Sequence, residues 1–260
     1  MIKNTFCTLE GIGEKSERRL WKDGILTWKD FTDSRQISGI SPDRKLLYDS
    51  LLIRDDEELM AGNAAYFNYR IKRREHWRLF NFFKGSAVCL DIETNGFQPH
   101  YGGVVTVVGL YDGYDYKTLV RGDNLTAENL SRELSQYKCL ITFYGASFDV
   151  PFMLRSFNGV RFDIPHFDLC FAAKRLGFEG GLKKLEQSLG IIREDSVQGL
   201  DGYDAVKLWE AYRRGSREAL ELLITYNRED TVNLMHIAST FYERLKQSTG
   251  IEEYLSSGVA

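Results

Sequence analysis

The chain has 260 residues, a formal net charge of −3, and 43% hydrophobic and 27% charged residues. That length buries a real core, as one large domain or as a mid-sized domain with a small one, and the composition is ordinary for a soluble globular protein. No apolar run approaches the roughly 20 residues of a membrane span, and residues 1–6 lack an apolar signal-peptide core, so no membrane partner, no export and a cytoplasmic location are expected. The cysteines are Cys7, Cys89, Cys139 and Cys170, without a Cys-x-x-Cys pair, and buried free thiols of a reducing compartment are expected. The net charge neither suggests nor excludes nucleic acid, so any basic track has to be local.

Gly11-Ile12-Gly13 makes a tight turn that glycine tolerates best. A helix follows from about Glu14, with Leu20 and Trp21 on its apolar side and Gly24 as its C-terminal stop. This stretch resembles a helix-hairpin-helix motif. The resemblance implies that the backbone N–H groups around Gly11 and Gly13 meet a nucleic-acid phosphate, with Lys15, Arg18 and Arg19 adding charge. A hairpin used only for packing is the alternative, and a lone copy binds weakly and without sequence preference. Ser41 and Pro42 read as the N-cap and first residue of a helix. Helices are expected over 43–53 and about 57–83, the second carrying Tyr66, Phe67, Ile71, Trp77 and Phe80. The run Arg70-Ile71-Lys72-Arg73-Arg74, with Tyr69, His76 and Trp77, is either a nucleic-acid track or a solvated face. His76 itself reads as a surface residue.

From Gly85 the texture changes to α/β. Strands are expected at 87–92, 104–111, 115–120 and 139–143, the first three as antiparallel neighbours with a hairpin turn at Asp112-Gly113. A helix at about 126–137 precedes the fourth strand, another starts at Ser147, and Pro165-His166-Phe167 is a short extended piece. Helices at about 168–176, 181–189, 201–213 and 216–246 complete the chain. The expected organisation is a helical region 1–83, an α/β domain 84–250 and a tail 251–260.

The chemistry concentrates in Val88-Cys89-Leu90-Asp91-Ile92-Glu93-Thr94-Asn95-Gly96. Strand side chains alternate, so Asp91 and Glu93 leave one face while Ile92 enters the core. Two carboxylates at an apolar strand end repel and are desolvated, which a divalent metal offsets; two solvated acids are the alternative. Asp149 falls in the first turn of the helix after the fourth strand, where an acid complements the helix dipole and where α/β sheets also place ligands. Tyr226 and Asp230 are four apart on the last long helix and share a face.

Asp-x-Glu, then Phe148-Asp149, then Tyr-x-x-x-Asp, in that order, resembles the DEDD exonuclease superfamily on the ribonuclease H-like fold. Tyr226 points to the DEDDy branch, since the sister branch has His where Thr225 stands. His76-Trp77-Arg78-Leu79-Phe80, His166-Phe167-Asp168-Leu169 and Leu182-Lys183-Lys184-Leu185-Glu186 look like YprB-type exonucleases. The fold so implied is α/β: a ribonuclease H-like mixed five-stranded sheet flanked by helices, after a small all-α region. The activity implied is metal-dependent 3′→5′ hydrolysis of phosphodiester bonds at single-stranded ends, DNA favoured over RNA. A non-catalytic nucleic-acid-binding or scaffold module is the alternative.

By the same resemblance, Asp91, Glu93, Asp149 and Asp230 hold two Mg²⁺ or Mn²⁺ ions, and oxygen-only ligands suit such hard cations. The Tyr226 hydroxyl, with an ordinary pKa of about 10, orients the attacking water rather than deprotonating it. Thr94, Asn95, Gly96 and Phe97 form a lip for the terminal nucleotide, facing Tyr144 and Phe148. Relatives usually carry Asn at the position of Tyr144 and often Leu at that of Phe97, so strand handling is expected to differ. Asp168 is either a support for the metal ligands or a helix N-cap. A replication or repair protein is a further expected partner, docking on region 1–83.

Overall fold

A computed structural model describes residues 1–257. Its first third is helical, and side-chain caps set most of the starts: α1 (Glu14–Lys22), α2 (Trp28–Asp33), α3 (Pro42–Met60) and α4 (Ala64–Arg70). Thr27 and Asp30 close a reciprocal capping box on α2, Ser41 accepts from Arg44 N at the start of α3, and Asn63 accepts from Tyr66 N at the start of α4. A 3₁₀ segment, Arg73–Leu79, leads into the single turn α5 (Phe80–Phe83).

This corrects three readings of the sequence. Helix α3 runs unbroken through the charged stretch 54–57, whose side chains all tolerate a helix; the break comes at 61–63, where Gly62 and Asn63 stop one helix and start the next. The long helix expected to 83 is three shorter pieces, because Ile71 turns extended. No α-helix precedes Gly11-Ile12-Gly13: the 3₁₀ turn Ile2–Asn4 stands where a helix-hairpin-helix has its first helix. Helix α2 went unread although Thr27-x-x-Asp30 is its local signal.

The helical region is welded to the rest. Arg78 is fully buried, donates from Nε to Glu75 Oε2 at 2.7 Å and from Nη2 to Glu17 Oε2 at 3.1 Å. Glu17 in turn accepts from Thr5 Oγ1 and Phe6 N. Each buried charge therefore has a partner, which is the condition for burying it at all. His76, expected on the surface, is fully buried. Its Nδ1 accepts the N–H of His166 at 3.0 Å, so Nε2 carries the proton and donates to Ile71 O at 3.0 Å. That tautomer is the neutral one, and burial pushes its pKa down.

Strands β1 (Ala87–Thr94), β2 (Val105–Tyr111), β3 (Tyr116–Val120), β4 (Cys139–Thr142) and β5 (His166–Asp168) form one mixed sheet in the order β3-β2-β1-β4-β5. The β1–β2 and β2–β3 pairs are antiparallel; β4 and β5 run parallel to β1. Asp112 Oδ1 accepts both Tyr114 N and Asp115 N, and Gly113 takes φ +102°, which closes the expected hairpin.

Alternation on β1 assigns the layers. Val88, Leu90 and Ile92 pack with Leu130 and Leu134 of α6 (Ala127–Leu134) and Phe152 and Met153 of α7 (Asp149–Ser156). Ala87 and Cys89 point the other way, into a core shared by the N-terminal helices, α8 (Leu169–Arg175), α9 (Leu182–Ser188) and α11 (Arg217–Thr249). Helix α10 (Gly202–Arg213) packs Trp209 and Ala205 against Tyr226 and Val107. Residues 251–257, grouped with a tail in the sequence, form α12 (Ile251–Ser257), with Ile251 buried and Tyr254 tilted against Trp21; the rest of that tail, 258–260, lies outside the described residues. No helix among the described residues is long and apolar enough to cross a membrane.

Candidate active site

Asp91 and Glu93 continue the Ala87–Cys89 face, so both carboxylates meet α11 at the C-terminal end of β1. A register shift at Glu93/Thr94 bends the strand there. Directly across from Asp91 on β2 stands Gly109. A Cβ at Gly109 would collide with Asn227 Oδ1 and come within 2.5 Å of Thr231 Oγ1. The glycine is what lets α11 approach the sheet closely enough to deliver its acid.

One oxygen each from Asp91, Glu93 and Asp230 lies within 4.8 Å of the others. Asp149, the first residue of α7, stands beside them, its Oδ1 accepting from the N–H of Ile92 at 3.2 Å. The four acids predicted from the sequence therefore converge on one strand end, three of them in a tight group. Burial pushes the pKa of Asp91 and of Glu93 well up, and the Asp230 charge adds to it. Burial likewise raises Asp230, and Asp149 to about 7. Four acids that resist ionising together are what a cage for a hard divalent cation is without its charge compensation, and all its donors are oxygens. Burial and the same acids also push the Tyr226 hydroxyl up, so it stays protonated.

Three residues here escaped the sequence reading. Asn227 is fully buried; its Nδ2 donates to Asp91 Oδ2 at 2.8 Å and to Glu93 Oε1 at 3.4 Å, while Tyr116 OH donates to its Oδ1. Its position next to Tyr226 and three before Asp230 on one helix face is a signal that was available. Arg193, between α9 and α10, pairs through Nη2 with Asp230 Oδ1 and donates from Nε to Glu186 Oε2 at 2.7 Å. Its Nη1 is buried without a partner among the described residues. Lys183 lies 4.9 Å over the Tyr226 ring, and its charge offsets part of the rise that burial imposes on the pKa of Glu93 and Asp230.

Thr94, Gly96, Phe97 and Phe148 line a cleft of about 360 Å³ with Asp91, Glu93, Tyr226 and Asp230. Asn95 instead closes its own loop, accepting from Val104 N and donating to Gly102 O. Tyr144 is also outside this cleft, 48% exposed at φ +67°. Asp168 caps α8 through Cys170 N and holds Tyr144 N and Ala146 N as well, so it fixes the loop that carries Asp149. Lys15 is exposed beside Gly11 and Gly13, on the opposite side of α1 from its buried Leu20 and Trp21.

Two solved structures resemble the chain. One, described as the apo form of the nuclease, is 23% identical, covers 71% of this chain and 82% of that one, and has a TM-score of 0.46. The other, Brucella melitensis NrnC with bound Mg²⁺, is 20% identical, covers 68% of this chain and 82% of that one, and has a TM-score of 0.46. No curated protein matches. The model of one family, described as RNase_H superfamily, matches residues 88–242, from β1 into α11. That span is more than half of the chain, and the protein belongs to the RNase H superfamily.

Proposed function

We propose that this protein is a metal-dependent 3′→5′ exonuclease of the DEDDy type, acting on single-stranded nucleic acid ends with DNA favoured over RNA. The observation that carries the reading is the grouping of Asp91, Glu93 and Asp230 within 4.8 Å, with Asp149 and Tyr226 beside them. Asp91, Glu93, Asp149 and Asp230 would hold two Mg²⁺ or Mn²⁺ ions. Such ions, when bound, supply Lewis-acid stabilisation of charge at the scissile phosphate.

The hydrolysis adds water to phosphorus and breaks the bond to the 3′ oxygen of the preceding nucleotide. It releases a nucleoside 5′-monophosphate and a shortened strand with a 3′ hydroxyl. Tyr226, kept protonated by its buried acidic surroundings, positions the attacking water. Asn227 holds Asp91 and Glu93 in one orientation. Phe97 and Phe148 flank the cleft as faces for the terminal base. The N–H groups near Gly11 and Gly13, with Lys15, give a weak additional phosphate contact.

The test is degradation of end-labelled single-stranded oligonucleotides of DNA and RNA, with Mg²⁺, Mn²⁺ or EDTA. Stepwise shortening from the 3′ end that stops in EDTA is expected. Binding without metal-dependent shortening would replace the reading by the non-catalytic module; shortening from the 5′ end would overturn the polarity.

A further inference from the structure

Beside the acidic cleft lies a second cavity of about 580 Å³, between the N-terminal layer and the sheet. One wall is the 3₁₀ segment with Arg73, Arg74 and Trp77; the other is α8 with Phe171 and Arg175. We propose that this cleft binds single-stranded nucleic acid and leads the strand to the acidic site, a substrate track that rests on the nuclease reading above.

Charge is the first support. Arg73 is exposed and has no ion pair among the described residues, and Arg74 is 69% exposed with only a 3.5 Å approach to Glu75. The acids on the walls are already committed: Glu14 pairs with Arg175 at 3.0 Å, and Asp168 accepts three backbone N–H groups. The free charge facing the cleft is positive, although the chain as a whole is −3. A polyanion is the occupant such a local field selects.

Aromatic surface is the second. Phe171 is 49% exposed at the cleft, a cost in water that a stacked base removes.

Continuity is the third. Ala146 and Ser147 line this cleft, Phe148 lines the acidic one, and Asp149 follows directly. One loop, anchored by Asp168, is the sill between the two. At the far end the cleft reaches Glu14, the residue after Gly13. Interleaved arginines and aromatics along a groove that ends at phosphodiester chemistry fit an unpaired strand better than a folded protein surface.

The test is fluorescence anisotropy of a labelled single-stranded oligonucleotide about 15 nucleotides long, as DNA and as RNA, in EDTA so that no turnover intervenes. The full chain is compared with Arg73→Glu/Arg74→Glu and with Phe171→Ala, each checked by its melting temperature. The double variant is expected to bind about tenfold or more weakly and to lose about two from the slope of log affinity against log salt. Phe171→Ala is expected to lose about tenfold without changing that slope. With Mg²⁺, both variants should shorten a dinucleotide at the wild-type rate. Unchanged affinity and slope in folded variants overturn the track. Absence of any hydrolysis beside cleft-dependent binding would defeat the nuclease reading and leave the track standing. The DNA and RNA arms identify which strand the cleft takes.

Discussion

The two clefts on either side of loop 144–148 are opposites. The acidic one gathers four carboxylates in a desolvated corner, where burial raises the pKa of each and neighbouring acids raise those of Asp91 and Glu93 further. The other exposes arginines and a phenylalanine around acids that are already paired. The first stores electrostatic strain that a cation relieves; the second presents a field that an anion answers. On the proposed reading, a strand running from one to the other would pass from attraction by side chains to attraction by metal held in the acidic site.

The largest effect expected concerns the acids. Asp91→Ala or Asp230→Ala should reduce metal-dependent shortening of end-labelled strands to background while the protein stays folded. Asp91→Asn should also raise the melting temperature of the metal-free protein, since one repelling charge is gone. Cleavage near wild type by either alanine variant would break the contrast between the clefts.

Next comes the cation built into the acidic side. Arg193→Gln removes the partner of buried Glu186 as well as of Asp230. Unfolding by urea should show a loss of about 3–5 kcal/mol. In the protein that remains folded, calorimetric Mg²⁺ affinity should rise, because Asp230 has lost its internal counter-charge. An unchanged stability and affinity would mean that the Arg193 contact has no energetic weight.

The pH dependence separates the acids from the histidines. Asp149 stands up to about 7 in the folded protein, against about 3.9 in an unfolded chain. Between those values the native state keeps a proton that the unfolded state has lost, so stability without metal falls as pH rises across that window and levels above it. His166, pushed down to about 3 by burial, works in the opposite sense: its contribution is full above about 6.5 and is lost as pH falls. In EDTA, the melting temperature of Asp149→Asn minus that of wild type should therefore grow from about pH 5 to 8. Added Mg²⁺ should stabilise more at the upper end than at the lower, since its ligands must be ionised. Equal stabilisation by Mg²⁺ at both ends would disconnect the cage from the metal.

The smallest effect sits on the sill. Tyr144 holds a left-handed backbone at φ +67°, which costs a bulky residue of the order of 1 kcal/mol. Tyr144→Asn should recover part of that and raise the melting temperature by a few degrees. If the melting temperature falls instead, contacts of the Tyr144 ring outweigh its backbone strain.

Much of this architecture was legible one residue at a time. Alternation along residues 87–93 placed Asp91 and Glu93 on one face, because strand geometry leaves no other choice. The four-residue spacing of Tyr226 and Asp230 did the same on a helix. The helix cap at Ser41-Pro42 and the hairpin turn at Asp112-Gly113 form for the same local reason. The 57–83 stretch failed because helical composition does not show where Ile71 will be drawn into the core.

What only the tertiary structure decided is how the charge is managed. Asn227 meets Asp91 across 136 residues, Arg78 meets Glu17 across 61, and Arg175 of α8 reaches Glu14 across 161. Gly109 reads as a weak point in a strand until α11 lies against it. The sequence by itself determined which acids share a face, since backbone periodicity is local. Which cations answer them, and that a basic cleft opens beside an acidic one, depends on the packing of helices far apart in the chain. Electrostatic energy is a function of distance in space and not of separation in sequence.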